Sequence, residues 1–213
     1  MNKKSRVFIT GVGVISSLGN SATFGDNLLK GKSNVSNITL FKSDSFPVKI
    51  AAQCDILSDN TKDRKQLLAE TAIADLFSNQ LNRNQFKKEF AIEHFHIGIG
   101  LELFSLTDLD EMRKNNYLMP EMAKNNPHFL QTSVDHIVQD LIKNFQFDSF
   151  PAIHISACSA STDAIGNLFH LLRANIGSNG IAGGSDSMIN PLGVGIAQRC
   201  SLGSSAGSMN FQN

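Results

Sequence analysis

The chain has 213 residues, enough for one large domain, with 41% hydrophobic residues and a mean hydropathy of −0.10, the profile of an ordinary globular protein. Its 19 basic and 19 acidic residues cancel, and no run of like charge points to nucleic acid or a membrane surface as partner. Cys54, Cys158 and Cys200 are odd in number, widely spaced and without metal-ligand spacing, which fits a reducing cytoplasm.

In chain order, Lys3, Lys4 and Arg6 precede an apolar run that superficially resembles a secretory leader. Two glycines and a threonine interrupt it, and a buried strand over Arg6 to Thr10 followed by a glycine-bearing loop accounts for it. A short helix is expected from Ala22 to Lys30, ended by Gly31, and a second strand over Phe46 to Ala52. Leu67/Leu68, Ala72/Ile73 and Leu76/Phe77 recur about four apart and mark an amphipathic helix. His94 to Leu101 reads as a third strand. Residues 102–130 form a charged, proline-bearing excursion.

Val134, Ile137/Val138, Leu141/Ile142 and Phe145 trace a second amphipathic helix, begun by Thr132 or Ser133. Ala152 to Ala157 is the fourth strand, Ser159 to Asn175 the helix after it, and Ile181 to Gly184 a fifth strand. This alternation predicts an α/β fold with a five-stranded, mostly parallel sheet. Charges are frequent between residues 59 and 93, but between 151 and 198 only Asp163, Arg173 and Asp186 occur. A helix so poor in charge is expected to be covered on most sides, so the helix after Cys158 is placed at the centre of the molecule.

Cys158 carries the chemistry. It lies where an apolar strand breaks into a small-residue helix, and unpaired N–H groups at a helix start favour a thiolate. Thiolate character makes a cysteine a nucleophile instead of a small hydrophobe. Ser159, Ala160 and Ser161 leave room for a substrate to approach. The competing reading is a buried core cysteine.

Other motifs fail on inspection. Gly11-Val-Gly-Val-Ile-Ser16 evokes a dinucleotide fingerprint but lacks its third glycine, its prompt helix and its ribose-binding acid. Gly183-Gly-Ser-Asp-Ser-Met188 lacks the final glycine of a serine elbow. His94 and His96 alternate on one strand face without a third metal ligand, and read as solvent-facing or hydrogen-bonded. No local histidine is placed to activate Cys158: His170 is about 18 Å down the helix and His154 about 13 Å up the strand.

Together, Val7-Phe-Ile-Thr-Gly-Val-Gly-Val-Ile-Ser-Ser-Leu-Gly19, Gly31-Lys-Ser33, Ser156-Ala-Cys-Ser-Ala-Ser161, Asp163-Ala-Ile-Gly166 and Ile181-Ala-Gly-Gly-Ser-Asp-Ser187 closely resemble the N-terminal half of a β-ketoacyl-acyl-carrier-protein synthase. This is a condensing enzyme of thiolase-like fold, and the resemblance runs from Arg6 to Leu202, leaving 203–213 as a frayed polar tail, the mark of a premature or shifted reading frame.

The resemblance implies that Cys158 accepts an acyl group as a thioester, and that a malonyl-type donor then loses carbon dioxide and attacks it. The backbone N–H of Cys158 would supply an oxyanion-hole donor, the kind of contact worth about 2.7–4 kcal/mol of barrier. Acyl carrier protein is the implied partner, with a homo- or heterodimeric condensing enzyme; no cofactor and no metal is implied. The helix after Cys158 would be the family's central helix, packed between two sheets.

The departures are as informative. The family's two active-site histidines and its lysine lie in the C-terminal half, and none of His94, His96, His128, His136, His154 or His170 matches their motifs. Leu101-Glu-Leu-Phe104 stands where many relatives carry more glycine. Without a second half, Ile165, Leu168, Leu171 and Leu172 would lose part of their cover, at roughly 1.5–3 kcal/mol for each fully exposed side chain. The chain alone is then expected to associate, aggregate or require a separate polypeptide. A non-catalytic pairing subunit and a truncated, inactive remnant are the alternative readings.

Overall fold

The computed structural model describes residues 5–56, 62–78, 91–100, 114, 134–191 and 193–194. The expected excursion at 102–130, the helix start at Thr132 or Ser133, Cys200, His128 and the polar tail lie outside the described residues.

The N-terminal part is a series of small pieces. Ile15–Ser16 (β1) and Gly19–Asn20 (β2) form a two-residue antiparallel ladder, followed by the helix Ser21–Leu29 (α1). The helix ends as the sequence leads one to expect: Gly31 takes φ +65°, Lys32 N–H reaches the Asn27 carbonyl and Gly31 N–H that of Leu28, both at 3.0 Å. That pattern satisfies the carbonyls a helix end leaves open. Val35–Asn37 (β3) and Ile50–Ala52 (β4) pair antiparallel. The strand expected over Phe46 to Ala52 is thus cut to its last three residues; Pro47 lacks the N–H a ladder needs.

The main sheet is parallel, with spatial order β6-β5-β7: Pro151–His154 (β6), His94–Ile99 (β5) and Gly180–Ser185 (β7). Two layers cover it. Phe95, Ile97 and Ile99 of β5 face the helices Arg64–Ser78 (α2) and Val134–Phe145 (α3). The α3 stripe Val134, Ile137, Val138, Leu141 and Phe145 is buried at the spacing that predicts its helix, and α2 buries Ala69, Ile73 and Phe77 against it. Gln66 Nε2 donates to Asp140 Oδ2 at 3.1 Å and Asn144 Nδ2 to Glu70 Oε1 at 3.0 Å, tying the two helices. Phe77, Phe145 and Phe147 close that end of the core, their ring centroids 5.8–6.2 Å apart.

The opposite face carries His94, His96 and Gly98 on β5, Ala152 and His154 on β6, and Gly180, Ala182 and Gly184 on β7, placed there by period-2 alternation. The helix Ala160–Arg173 (α4) lies on it and buries Ala160, Ala164 and Leu168. Glycine makes the approach possible. A Cβ on Gly98 would lie 2.3 Å from the Ala160 carbonyl carbon, and one on Gly184 would meet the Ser161 side chain.

Three expectations need correcting. Residues Arg6 to Thr10 form no strand: Phe8 and Ile9 are 66% and 85% exposed, and the Arg6 guanidinium sits 4.9 Å over the Phe8 ring. Among the described residues the parallel sheet has three strands, not five, because the first and second expected strands never join it. The helix after Cys158 is buried along one stripe only: its far side, including Ile165 at 54% exposure and Phe169, is open. Few charges therefore do not mean cover on most sides: Leu168 is buried against the sheet while Ile165 is exposed.

Candidate active site

The site is built by the exit from β6. The strand expected to reach Ala157 stops at His154, and the chain then turns through Ile155 and Ser156 into the 3-10 turn Ala157–Ser159 that opens α4. Ala157 holds φ +50°, the left-handed region, which costs an L-residue about 1–2 kcal/mol. This bend takes the chain from strand to helix within three residues. It leaves Cys158 exposed, at the start of the helix and not midway along it.

Hydrogen bonds hold the turn in shape. The Asp163 carboxylate, in the first turn of α4, accepts from the hydroxyl of Ser156 and from Ser159 Oγ at 3.3 Å. Ser159 Oγ also donates to the Ser156 carbonyl at 2.9 Å, and its N–H to the same oxygen at 3.2 Å. The residues on both sides of Cys158 are therefore fixed by one carboxylate, and the sulfur is presented outward. Cys158 thus stands just ahead of the N-terminal end of α4.

Among the described residues no candidate base lies within hydrogen-bond reach of the sulfur. The nearest histidine in sequence, His154, turns to β5 instead: His96 Nδ1 and His154 Nε2 lie 3.2 Å apart. Sequence reasoning paired His94 with His96 along one strand; the parallel register sets His154 opposite Gly98, beside His96. The missing signal was register, which a single sequence does not state. His94 Nε2 lies 3.0 Å from the Ile176 carbonyl oxygen, so it is hydrogen-bonded as expected. Burial, with the neighbouring rings of His154 and His94, lowers the pKa of His96. Cys54 is a poor competitor for chemistry. It is partly buried, and desolvation raises its thiol pKa against the opposing pull of Arg64. Among the described residues no group of three or more His, Cys, Asp or Glu could hold a metal, and no helix is long and apolar enough to cross a membrane.

Comparison with known proteins follows from this geometry. No protein-family model matches the chain. It is 27% identical over 202 residues to 3-oxoacyl-[acyl-carrier-protein] synthase 2 of Coxiella burnetii, covering 91% of the chain and 48% of that protein. It is also 27% identical over 211 residues to a putative mitochondrial 3-oxoacyl-[acyl-carrier-protein] synthase of Schizosaccharomyces pombe, with 89% and 48% covered. Among solved structures it resembles a ketosynthase bound to a hexaketide and to its type II polyketide synthase acyl-carrier protein (TM-score 0.66, 19% identity, 98% of this chain and 52% of that one). The ishigamide ketosynthase/chain length factor is similar at TM-score 0.68 and 16% identity, again over 98% and 52%. The fold is accordingly thiolase-like, and the chain spans about half the length of the curated relatives it matches.

Proposed function

The chain resembles the N-terminal half of a β-ketoacyl-acyl-carrier-protein synthase in sequence and in its thiolase-like fold, and from that premise we propose that Cys158 is the acyl-accepting nucleophile of a condensing reaction in fatty acid or polyketide synthesis. The observation that carries this reading is the exposed thiol at the strained strand-to-helix turn, with Ala157 at φ +50° behind it and Asp163 bracing both flanks.

The steps follow from that placement. The Cys158 thiolate attacks the carbonyl of an acyl thioester carried on phosphopantetheine, and the oxyanion of the tetrahedral intermediate takes up hydrogen bonds from backbone amides of the turn. Collapse expels the carrier thiolate, which takes a proton, and leaves the acyl group on Cys158. A malonyl-type thioester then loses carbon dioxide, and its carbanion attacks the Cys158 thioester to release a β-ketoacyl product. In the resembled family the two histidines and the lysine serving this second half-reaction belong to the C-terminal half. Acyl transfer to Cys158 is therefore the step we assign to the residues described. Acyl carrier protein is the proposed donor partner, in a cytoplasmic setting.

Incubation with an acyl-carrier-protein thioester or acyl-coenzyme A, followed by intact-mass measurement, tests the assignment. A single acyl adduct that maps to Cys158 and is lost in Cys158→Ala supports it. Iodoacetamide should modify Cys158 well ahead of Cys54; equal slow rates would overturn it.

A second reading, a pairing subunit of a condensing enzyme, draws on the outward face of α4, where Ile165 is 54% exposed and Phe169 is partly exposed beside Arg173. Under it, Cys158→Ala retains full biological effect and the chain sediments with a condensing-enzyme partner.

A further inference from the structure

The His96–His154 contact couples the sheet to the Cys158 turn. Among the described residues β6 has β5 as its one neighbour in the sheet, and His154 is its last residue before the chain departs toward Cys158. His96 is 6% exposed, under α4; His154 is half-buried. Their ring centroids are 5.4 Å apart with facing nitrogens at 3.2 Å, so the rings meet edge to edge along the line of an N–H···N hydrogen bond. An ion bound to both nitrogens in that line would need them about 4 Å apart. The contact is made for a proton, not a metal.

We propose that the His96–His154 pair is a proton-operated latch: with at most one proton between the facing nitrogens it ties the end of β6 to β5, and with both rings fully protonated it releases the turn that carries Cys158. The stereochemistry is simple. A neutral or singly protonated pair has one donor and one lone pair at the contact; a doubly protonated pair has two donors and no acceptor. The surroundings offer little compensation. On β5, His94 stands 6.1 Å from His96 and adds like charge once protonated. Between Gly180 and Ser185, β7 carries no titratable side chain. On α4, the charged or titratable groups are Asp163, His170 and Arg173, and the Asp163 carboxylate is engaged by Ser156 and Ser159. The low proton affinity of His96 agrees with this picture. The latch concerns the turn's attachment and holds whatever Cys158 reacts with.

Amide hydrogen exchange at pH 7.5 and pH 5.0, corrected for intrinsic rates, reads the latch directly. Opening of residues 152–158 should rise about tenfold or more at pH 5.0, the equivalent of one pKa unit, while Ile137 to Leu141 on α3 stay protected. In His154→Gln, whose amide can still bond to His96 without titrating, that rise should disappear. Imidazole proton signals should show His96 taking its proton below the ordinary histidine range. No rise in the parent protein, an equal rise in His154→Gln, or a His96 titration at the ordinary histidine pH would overturn the proposal.

Discussion

Gly98 lies directly beneath Ala160, so close that the missing side chain of the one is filled by the backbone of the other. This is how α4, with Cys158 at its head, comes to rest on the sheet. The first prediction follows. In Gly98→Ala the new methyl would meet Ala160 carbonyl carbon at 2.3 Å and Ser161 nitrogen at 2.4 Å, both backbone atoms that cannot swing aside. The helix must lift, which costs about 1–3 kcal/mol as overpacking does. Urea unfolding should show the loss, and the alkylation rate of Cys158 should change with it.

Gly183 gives the opposite result. It faces the α2 side of the sheet, no atom lies within 4 Å of its Cβ position, and it lines a cavity of about 100 Å³ with Gly13, Ala69, Ala72, Ile73 and Leu76. Its backbone is free of the left-handed constraint. Gly183→Ala should therefore raise stability by about 0.4–1 kcal/mol, chiefly by restricting the unfolded chain, and by thermal melting should shift Tm upward. Two glycines one residue apart in sequence, Gly183 and Gly184, should thus respond in opposite directions.

Asp75 sets the acid limit of the N-terminal part. Its Oδ2 accepts from Val14 N–H at 2.9 Å and Ser21 N–H at 3.0 Å, pinning the β1 loop and the start of α1 to α2. Burial alone would raise its pKa, but the bonds from Val14 and Ser21 prevail and lower it. The stabilising effect of a carboxylate lowered in this way is present above the ordinary aspartate pKa of about 4 and is lost as pH falls through the folded value. Asp75→Asn should flatten stability against pH in that acid window and cost about 1 kcal/mol at pH 7, as losing a cap does. Unfolding midpoints at pH 7, 5, 4 and 3 would check both points.

Much of this was legible in the sequence, for identifiable reasons. The α3 stripe ends in its predicted places because Ile137, Val138 and Leu141 need burial and repeat with the helical period. Gly31 ended α1 because it alone could take φ +65° without strain. The strand expected at Arg6 to Thr10 failed because apolar composition states a need for burial without supplying a neighbour to provide it. The breadth of cover over α4 was misjudged similarly: few charges show that a helix can be buried, not that it is. The position of Cys158 at a helix start was readable from the change in residue pattern. The bracing by Asp163 was not: it depends on the Ala157 bend bringing Ser156 back within reach. The neighbouring of His96 and His154 depends on strand register, which no local pattern encodes.

The two sides of α4 will answer differently to laboratory evolution. On the sheet side, Ala164 is fully enclosed, and any larger residue there must displace a strand. On the outward side, Ile165 is 54% exposed and contributes little to the chain's own folding, so a charged replacement there would pass, and even win, a screen for soluble expression. Under the pairing-subunit reading, the variants so enriched would be those least able to meet a partner, and selection for yield would quietly discard assembly.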